Sequence, residues 1–356
     1  MANYTTINKS TDYFNTKLYT GNAVDGSGTT QSVTGLDFSP NLVWIKSRSA
    51  TKSHYLFDVV RGVNTQLNSN NANDENVSNS LTHFLSDGFT LSDEPEVNES
   101  GHTFVSWNWK TETSFTNDAS ATSIGTIDST GSVSTDSGFS VISYTGNGSG
   151  GATVAHGLGS VPHMYIIKRR NANSSNWHVY HQGIGETKGL RLNLTNAEST
   201  TDIWNDTAPT NSVFSLGSSV DVNASGGTYI AYCFAEKTGY SKFGKYSANQ
   251  NSDGPFSFLG FKPAFLMIKR LGTDPWMMLD NKRDGYNVTE KFLAGNASDS
   301  EATEGSSVGI DFLSNGFKCR GTSGKYNSTN SGVEYIYMAF AEAPLVGTNN
   351  VPCTAR

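Results

Sequence analysis

The sequence predicts an all-β protein, built as a tandem array of three homologous β-sandwich modules of a jelly-roll or lectin-like kind. Two observations lead to this fold class. A set of segments recurs three times in the same order, and one strand in each copy alternates apolar with other residues at period two. Long stretches of helical periodicity are absent, and the length of 356 residues suits two to three domains at roughly 100–200 residues each.

Each copy has near its start a strand that runs from a proline to a lysine. These strands are Pro40–Lys46, Pro162–Lys168 and Pro263–Lys269. Because they are apolar on both faces, we expect each of them in the middle of its sheet. The proline then lies at the start of the strand, where no ladder N–H is lost.

Each copy ends with a strand of period-two alternation, at Thr103–Lys110, Thr228–Ala235 and Glu334–Ala341. The pattern predicts a half-buried strand with one apolar face. The residues of that face are Val105, Trp107, Trp109, Ile230, Tyr232, Phe234, Ile336, Met338 and Phe340. In the third copy Met338 belongs to this face, and methionine is a good core filler but a poor platform for sugar rings. We therefore interpret the face as core rather than as a glycan platform.

The boundaries follow from the repeats and from the composition between them. Residues between the first two copies are rich in Ser, Thr and Gly and poor in large apolar side chains, which is typical of a linker. The predicted parts are an N-terminal arm at 1–12, a first repeat at 13–113, a linker at 114–136, a second repeat at 137–240, a third repeat at 241–343 and a C-terminal tail at 344–356.

Composition and charge exclude several classes of protein. The net charge is −7, from 25 Lys and Arg against 32 Asp and Glu, and no basic run is present, so nucleic acid is not an expected partner. The longest apolar stretches, such as Tyr335–Ala341, are too short to cross a bilayer. The three cysteines are odd in number and widely spaced, which predicts neither a disulfide framework nor a metal site. No cofactor is expected.

The sequence predicts no catalytic residues and no enzyme. Gly305–Gly309 matches the G-x-S-x-G pattern, but the strand before and the helix after the serine that this chemistry needs are missing. Glycoside cleavage needs two paired carboxylates, and no pattern pairs any here. Asp58 and Asp280 occupy matching places in the first and third copies, which is typical of a turn or strand end.

Trp204 is the candidate ligand-binding residue, together with its neighbours Asn205 and Asp206. It lies in a polar loop and has no clear counterpart in the other copies. An exposed loop aromatic flanked by Asn and Asp suits a contact with a glycan. The alternative is a tryptophan that folds back onto the core.

Several segments spread over the chain carry a resemblance to a known family. They are Asn3–Ile7, Leu18–Asn22, Pro40–Lys46, Tyr229–Glu236, Ser241–Gly244 and Pro344–Arg356. In these segments the chain resembles marine bacteriophage virion or tail-fibre-like proteins of the cyanophage and pelagiphage type, whose function is mostly unassigned. The resemblance implies a virion component that is assembled in the host cytoplasm, and it carries over no catalytic residue.

These observations together predict a structural component of a bacteriophage virion: a fibre, spike or head appendage that recognises a host-surface glycan. One alternative is a capsid decoration protein with only a stabilising role, and another is a virion-borne glycosidase. The expected partners are other virion proteins, a host-surface glycan and the chain itself. Phage fibres and spikes are commonly trimers, so the resemblance implies a homotrimer, docked to the particle by an end segment.

Overall fold

The structure, a computed structural model, describes residues 5–305, 308–347 and 351–354. This part of the chain is all-β, as the sequence predicts. Its helices are single turns: a 3-10 turn at Ser10–Asp12, α1 (Pro95–Asn98), α2 (Ala119–Thr122) and α3 (Val220–Asn223).

The first repeat forms a larger and a smaller antiparallel sheet. Its strands are β1 (Phe14–Thr20), β2 (Gln31–Thr34), β3 (Leu42–Ser47), β4 (Tyr55–Asp58), β5 (Thr65–Gln66), β6 (Asn76–Val77), β7 (Leu81–Leu85), β8 (Gly88–Leu91) and β9 (Thr103–Trp109). The larger sheet has the order β1-β9-β3-β4, and the smaller sheet has the order β2-β8-β7. The short pair β5-β6 adjoins β4 through a bridge between Leu56 and Leu67.

The second repeat has the same plan, with additional strands at one edge. Its sheets use β10 (Thr113–Asn117), β11 (Ser129–Ser134), β12 (Phe139–Thr145), β13 (Ala152–Ala155), β14 (Met164–Arg169), β15 (His178–His181), β16 (Lys188–Arg191), β17 (Ser199–Thr200), β18 (Val213–Leu216) and β19 (Thr228–Phe234). The larger sheet has the order β10-β11-β12-β19-β14-β15-β16-β17, and the smaller one is the pair β13-β18.

The segment 114–136 is therefore more than the linker that its composition predicts. It contains most of β10 and all of β11, which extend the larger sheet of the second repeat beyond β12. Large apolar residues are not needed there, because β10 is largely exposed and β11 buries only one large apolar side chain, Val133, beside the small Ser129 and Ser134. Ser and Thr suit such a position.

The third repeat returns to the plan of the first. Its strands are β20 (Ser241–Ser247), β21 (Asp253–Phe258), β22 (Phe261–Arg270), β23 (Trp276–Asp280), β24 (Lys291–Ala294), β25 (Ala302–Thr303), β26 (Gly309–Leu313), β27 (Gly316–Arg320) and β28 (Glu334–Pro344). The larger sheet has the order β20-β28-β22-β23-β24-β25, and the smaller sheet has the order β21-β27-β26.

The proline-to-lysine strands lie inside the larger sheets, which confirms the position predicted for them. β3 lies between β9 and β4, β14 between β19 and β15, and β22 between β28 and β23. Pro263 differs from the expectation, because β22 begins before it. The register shifts at Pro263, which is where a residue without an N–H fits in a ladder.

Within the part of the chain that the structure describes, four apolar clusters make up the core. Three of them each lie within one repeat, between its larger and smaller sheets. The fourth joins residues of all three repeats. The last strand of each repeat is consequently buried on both faces, rather than on one as its pattern predicts. In β9 the second face is mixed: Phe104 belongs to the apolar cluster of the first repeat, and Ser106 and Asn108 are buried on the same face, where the Asn108 amide donates to the Ser106 hydroxyl at 3.0 Å.

Both terminal segments pack against the body of the protein. Within the described part of the predicted arm, Ile7 is buried and belongs to the cluster that the three repeats share. The arm is thus anchored by one apolar side chain that its otherwise polar composition conceals. In the tail, the N–H of Leu345 donates to the carbonyl of Gly260, and the N–H of Cys353 donates to that of Leu345.

Candidate functional site

The predicted ligand-binding residues do not form an aromatic platform. Trp204 is fully buried, its Nε1–H donates to the carbonyl of Lys188 at 3.0 Å, and its ring lies edge-on to Tyr165. The expectation of an exposed ring is therefore corrected: the loop folds back onto the core, which is the alternative that the sequence left open. Asn205 and Asp206 are exposed in the left-handed backbone region, with φ of 53° and 45°.

The predicted apolar faces of the three last strands meet each other in the shared cluster. Trp109 of the first repeat lies edge-on to Phe234 of the second and to Phe340 of the third, with ring centroids 6.4 and 5.7 Å apart. All of these side chains are buried, which confirms that the face is core. The partners across this face belong to the other repeats.

Backbone hydrogen bonds join the three repeats in a closed cycle. In each contact a glutamate N–H of one repeat donates to a carbonyl that follows the proline-to-lysine strand of the next. The pairs are Glu75 to Arg170 at 2.8 Å, Glu198 to Leu271 at 2.9 Å and Glu301 to Arg48 at 2.8 Å. The first repeat thus contacts the second, the second contacts the third and the third contacts the first.

A second set of equivalent bonds uses ring N–H groups that point into the neighbouring repeat. The donors and their carbonyl acceptors are Trp177 Nε1 with Asn68 at 2.9 Å, Trp276 Nε1 with Arg191 at 2.9 Å and His54 Nε2 with Ala294 at 3.0 Å. His54 also accepts from Trp44 Nε1 through its Nδ1 atom, which fixes the neutral tautomer. Burial lowers the pKa of His54 well below its ordinary value.

A buried ion pair closes the contact between the first and second repeats. The Asp58 carboxylate accepts from Arg61 Nε at 2.6 Å and from the hydroxyl of Tyr232, in the second repeat, at 2.8 Å. Its other oxygen accepts the backbone N–H of Arg61 at 2.9 Å, as expected for an aspartate that ends a strand. The side chains of Asp58 and Arg61 are fully buried, so no substrate reaches them.

An equivalent ion pair closes the contact between the third and first repeats. Asp280 pairs with Arg283 and accepts from Trp107 Nε1, in the first repeat, at 3.1 Å. Among the described residues, no such pair lies in the contact between the second and third repeats. There His181 Nε2 donates to the carbonyl of Tyr337 at 3.1 Å, and Met338 occupies the place of Trp107.

The three repeated lysines are internal as well. Lys46, Lys168 and Lys269 are buried, and each ammonium donates to backbone carbonyls, at 2.8 Å for Lys46 to Ser47 and for Lys168 to Ser175. Burial lowers the pKa of each lysine to about 8. Their role is to satisfy the carbonyls where each strand leaves its sheet.

One serine, one aspartate and one histidine meet in the second repeat without forming a catalytic triad. Asp221 accepts from the Ser175 hydroxyl at 2.9 Å and lies 2.9 Å from His178 Nε2. A triad needs the histidine between the serine and the acid, so that the imidazole takes the serine proton. Here the carboxylate lies in the middle, and the cluster holds α3 against the adjoining loop.

The described residues contain neither a metal site nor a membrane-spanning helix. Within them, no group of three or more His, Cys, Asp or Glu is placed to hold a metal ion. Over the same residues, every helix is too short and too polar to span a membrane. The serines of the G-x-S-x-G pattern, at 306 and 307, lie outside the described residues.

The sequence did not point to a surface cleft on the second repeat, which the structure reveals. It has a volume of about 450 Å³, within the range of about 300–1,000 Å³ typical of ligand sites. The lining residues are Thr126, Ile127, Asp128, Ser129, Thr130, Ser143, Tyr144, Thr145 and Asn147. One wall belongs to the segment 114–136, and the insertion of this segment into a regular repeat was the available signal.

The architecture defines an all-β protein of several antiparallel sheets, held together by a core that its three sequence repeats share. Comparison with protein families identifies the family of the chain. The chain belongs to the family described as Domain of unknown function (DUF7483), which matches residues 9–344. No curated protein and no solved structure matches the chain.

Proposed function

We propose that this protein is a structural component of a bacteriophage virion, in a fibre, spike or head appendage that attaches to a host-surface glycan. The observation that carries the structural part is the closed cycle of contacts between the three repeats. Each repeat gives and receives equivalent bonds, so the described part of every repeat is bonded to both of the others. Such a body suits a particle that must keep its shape outside a cell.

We also propose that the three repeats are homologous β-sandwich modules arranged around a pseudo-three-fold axis. The repeated order of the larger sheets supports this arrangement, and so does the smaller sheet that packs on each of them. The equivalent inter-repeat hydrogen bonds support the axis. The jelly-roll or lectin-like character of the modules is part of the same proposal.

The chemistry of the interior supports a structural role over an enzymatic one. The most polar clusters, around Asp58 and Asp280, have fully buried side chains that are saturated by their neighbours. The resemblance to marine phage virion proteins supports the place in a particle. For a homotrimer, the same resemblance is the support, and its contacts must use outer surfaces because the apolar faces of the last strands are occupied within the chain.

The proposal is tested by locating the chain in an intact particle. Immunogold electron microscopy, with an antibody raised against the purified chain, should label a fixed position on a tail or head appendage. Label spread evenly over the capsid shell would support the decoration protein instead. Purified particles that carry no label, from a lysate that contains the antigen, would overturn the virion role.

The attachment part needs a separate measurement. A glycan array tests binding, and a reducing-end assay on any bound glycan tests hydrolysis. Binding without release of reducing ends is the expected result. Release of reducing ends would favour the virion-borne glycosidase, and mass photometry of the full chain tests the homotrimer.

A further inference from the structure

We infer that the cleft on the second repeat is a binding site for a neutral oligosaccharide. The inference deepens the attachment part of the proposed function by naming its site and its ligand class. It rests on that function only for biological meaning, because binding by the purified chain does not depend on where the chain sits in a particle.

The cleft exists because of a departure from the repeat. In the first and third repeats, the first strands β1 and β20 form the edges of their larger sheets. In the second repeat, β11 pairs with the corresponding strand β12, with Thr130 opposite Ser143 and Ser129 opposite Tyr144. This pairing brings Thr130 and the loop at 126–128 beside Ser143 and Thr145, and these residues line the cleft.

The lining combines the donors and acceptors that sugar hydroxyls require. Asp128 is exposed and its Oδ1 atom accepts from the N–H of Ala119 at 2.9 Å, which orients the carboxylate. The side-chain oxygen Oδ1 of Asn147 accepts from the N–H of Ser149 at 2.9 Å, and the NH2 group of this exposed side chain is a donor. Thr130 and Thr145 are exposed, and each hydroxyl can both donate and accept.

The charges favour a neutral ligand over an acidic one. Asp128 is the sole ionisable carboxylate of the described lining, and no lysine or arginine belongs to it. The Arg170 guanidinium lies 3.4 Å from the Ser143 hydroxyl, but both carboxylate oxygens of Glu75 accept from it. An anionic polysaccharide would therefore meet a carboxylate without a compensating cation, whereas hydroxyl groups can donate to it.

The repeats provide matched controls within the same chain. Thr20 and Asn22 of the first repeat are the counterparts of Thr145 and Asn147. In both repeats the N–H of this asparagine donates to an asparagine side chain, Asn98 or Asn223. The difference is the added strand β11. A substitution at Thr20 or Asn22 therefore reproduces the local change without touching the cleft.

Saturation-transfer NMR of the full chain is the test, with maltotriose, a galacto-oligosaccharide and chitotriose as neutral probes. An oligogalacturonate serves as the acidic comparison. We expect transfer to at least one neutral probe. D128N should weaken that binding by about tenfold or more, because a hydrogen bond to a carboxylate is about twice as strong as a neutral one. T145V should weaken it by about three- to tenfold, while T20V and N22A leave it within about twofold.

The outcomes separate this site from the wider function. Failure of every neutral probe to bind would overturn the inference, and so would preferential binding of the oligogalacturonate. Equal losses in T20V and T145V would also overturn it. Thermal melting of each variant checks that the exposed substitutions leave the fold intact. Loss of the virion location alone would reject the proposed function and leave the site standing.

Discussion

The contact between the third and first repeats and the contact between the second and third occupy equivalent places but differ in chemistry. The first is ionic: Asp280 and Arg283 form a buried pair, and Trp107 donates to the carboxylate. The second is built from His181, hydrogen-bonded to a backbone carbonyl, and from Met338. A buried aspartate is retained where the facing residue offers a donor. Met338 offers none, and the aspartate is absent.

The same division holds at the rim of these contacts. Arg48 of the first repeat is bonded at 2.9 Å to each carboxylate oxygen of Glu301 in the third. In the second-to-third contact, Leu271 takes the place of the arginine and packs into the shared core. In each contact, the charged residues therefore either occur together with their partners or are replaced together with them. A buried charge without its partner costs more than the pair contributes, so the partners change together.

The largest expected effect is at Trp107. Changing Trp107→Ala empties an aromatic core site, which costs about 3–5 kcal/mol, and also removes a donor from Asp280. Met338→Ala at the equivalent position should cost less, because no hydrogen bond is lost with it. Chemical denaturation of both variants measures the difference. Equal losses would show that the donor contributes nothing. A Trp107→Ala chain that kept its melting temperature but lost glycan binding would place the ring in a binding surface.

Removing the carboxylate tests the ionic contact directly. Asp280→Ala removes the close partner of Arg283 and leaves the buried guanidinium only the Glu301 carboxylate, 3.5 Å from Nη1, so we expect a loss of about 3–5 kcal/mol. Adding Arg283→Met should restore much of this loss, because the uncompensated charge disappears. His181 has the place of Asp280 in the contact between the second and third repeats, and His181→Ala should cost only about 1–3 kcal/mol. The comparison fails if Asp280→Ala and His181→Ala have the same free energy of unfolding.

A smaller effect is expected from a single hydroxyl. Tyr232→Phe keeps the packing but removes the donor to Asp58, so the free energy of unfolding should fall by about 1–3 kcal/mol. Tyr165 provides the control, because it is buried and its hydroxyl has no hydrogen-bond partner. Tyr165→Phe should leave stability unchanged or raise it slightly. A loss as large as that of Tyr232→Phe would contradict the assignment.

The strand positions and the apolar faces were predictable, because they depend on local alternation and on repetition. The sequence also showed Asp58 and Asp280 at matching places. It could not show what faced them, because Tyr232 and Trp107 are more than a hundred residues away along the chain. The same limit applies to Trp204, whose polar neighbours suggested exposure while Tyr165 and Lys188 enclose it. Contacts between repeats depend on tertiary geometry that a periodicity does not contain.

The contact between the second and third repeats should make stability depend on pH through His181. Burial lowers the pKa of His181 to about 4, below its ordinary value of 6.5. Between these values the unfolded chain binds more protons than the folded one, so the free energy of unfolding falls as the pH falls from 6.5 to 4. His181→Gln keeps a donor for Tyr337 and should flatten this dependence by up to about 1.4 kcal/mol per pH unit. Identical pH profiles of the variant and the parent chain would show that His181 does not carry it.

The smallest effect on stability is expected on the outer surface, where two residues of the third repeat differ from their counterparts in the first. Phe256 and Phe258 are 45% and 53% exposed on β21 of the third repeat. By register, the corresponding residues of the first repeat are Ser32 and Thr34.

Both rings are about half exposed, and the ammonium of Lys242 lies 5.7 Å from the Phe258 centroid. An exposed cation–π contact contributes about 0.5–1 kcal/mol, and exposed substitutions otherwise change stability by about 0.5 kcal/mol or less. The double change Phe256→Ser with Phe258→Thr should therefore cost at most about 1 kcal/mol by denaturant unfolding. A cost near that of Trp107→Ala would mean that the outer face is also held by partners within the chain. Buried residues that depend on partners in other repeats would then no longer differ from the exposed residues of the outer face.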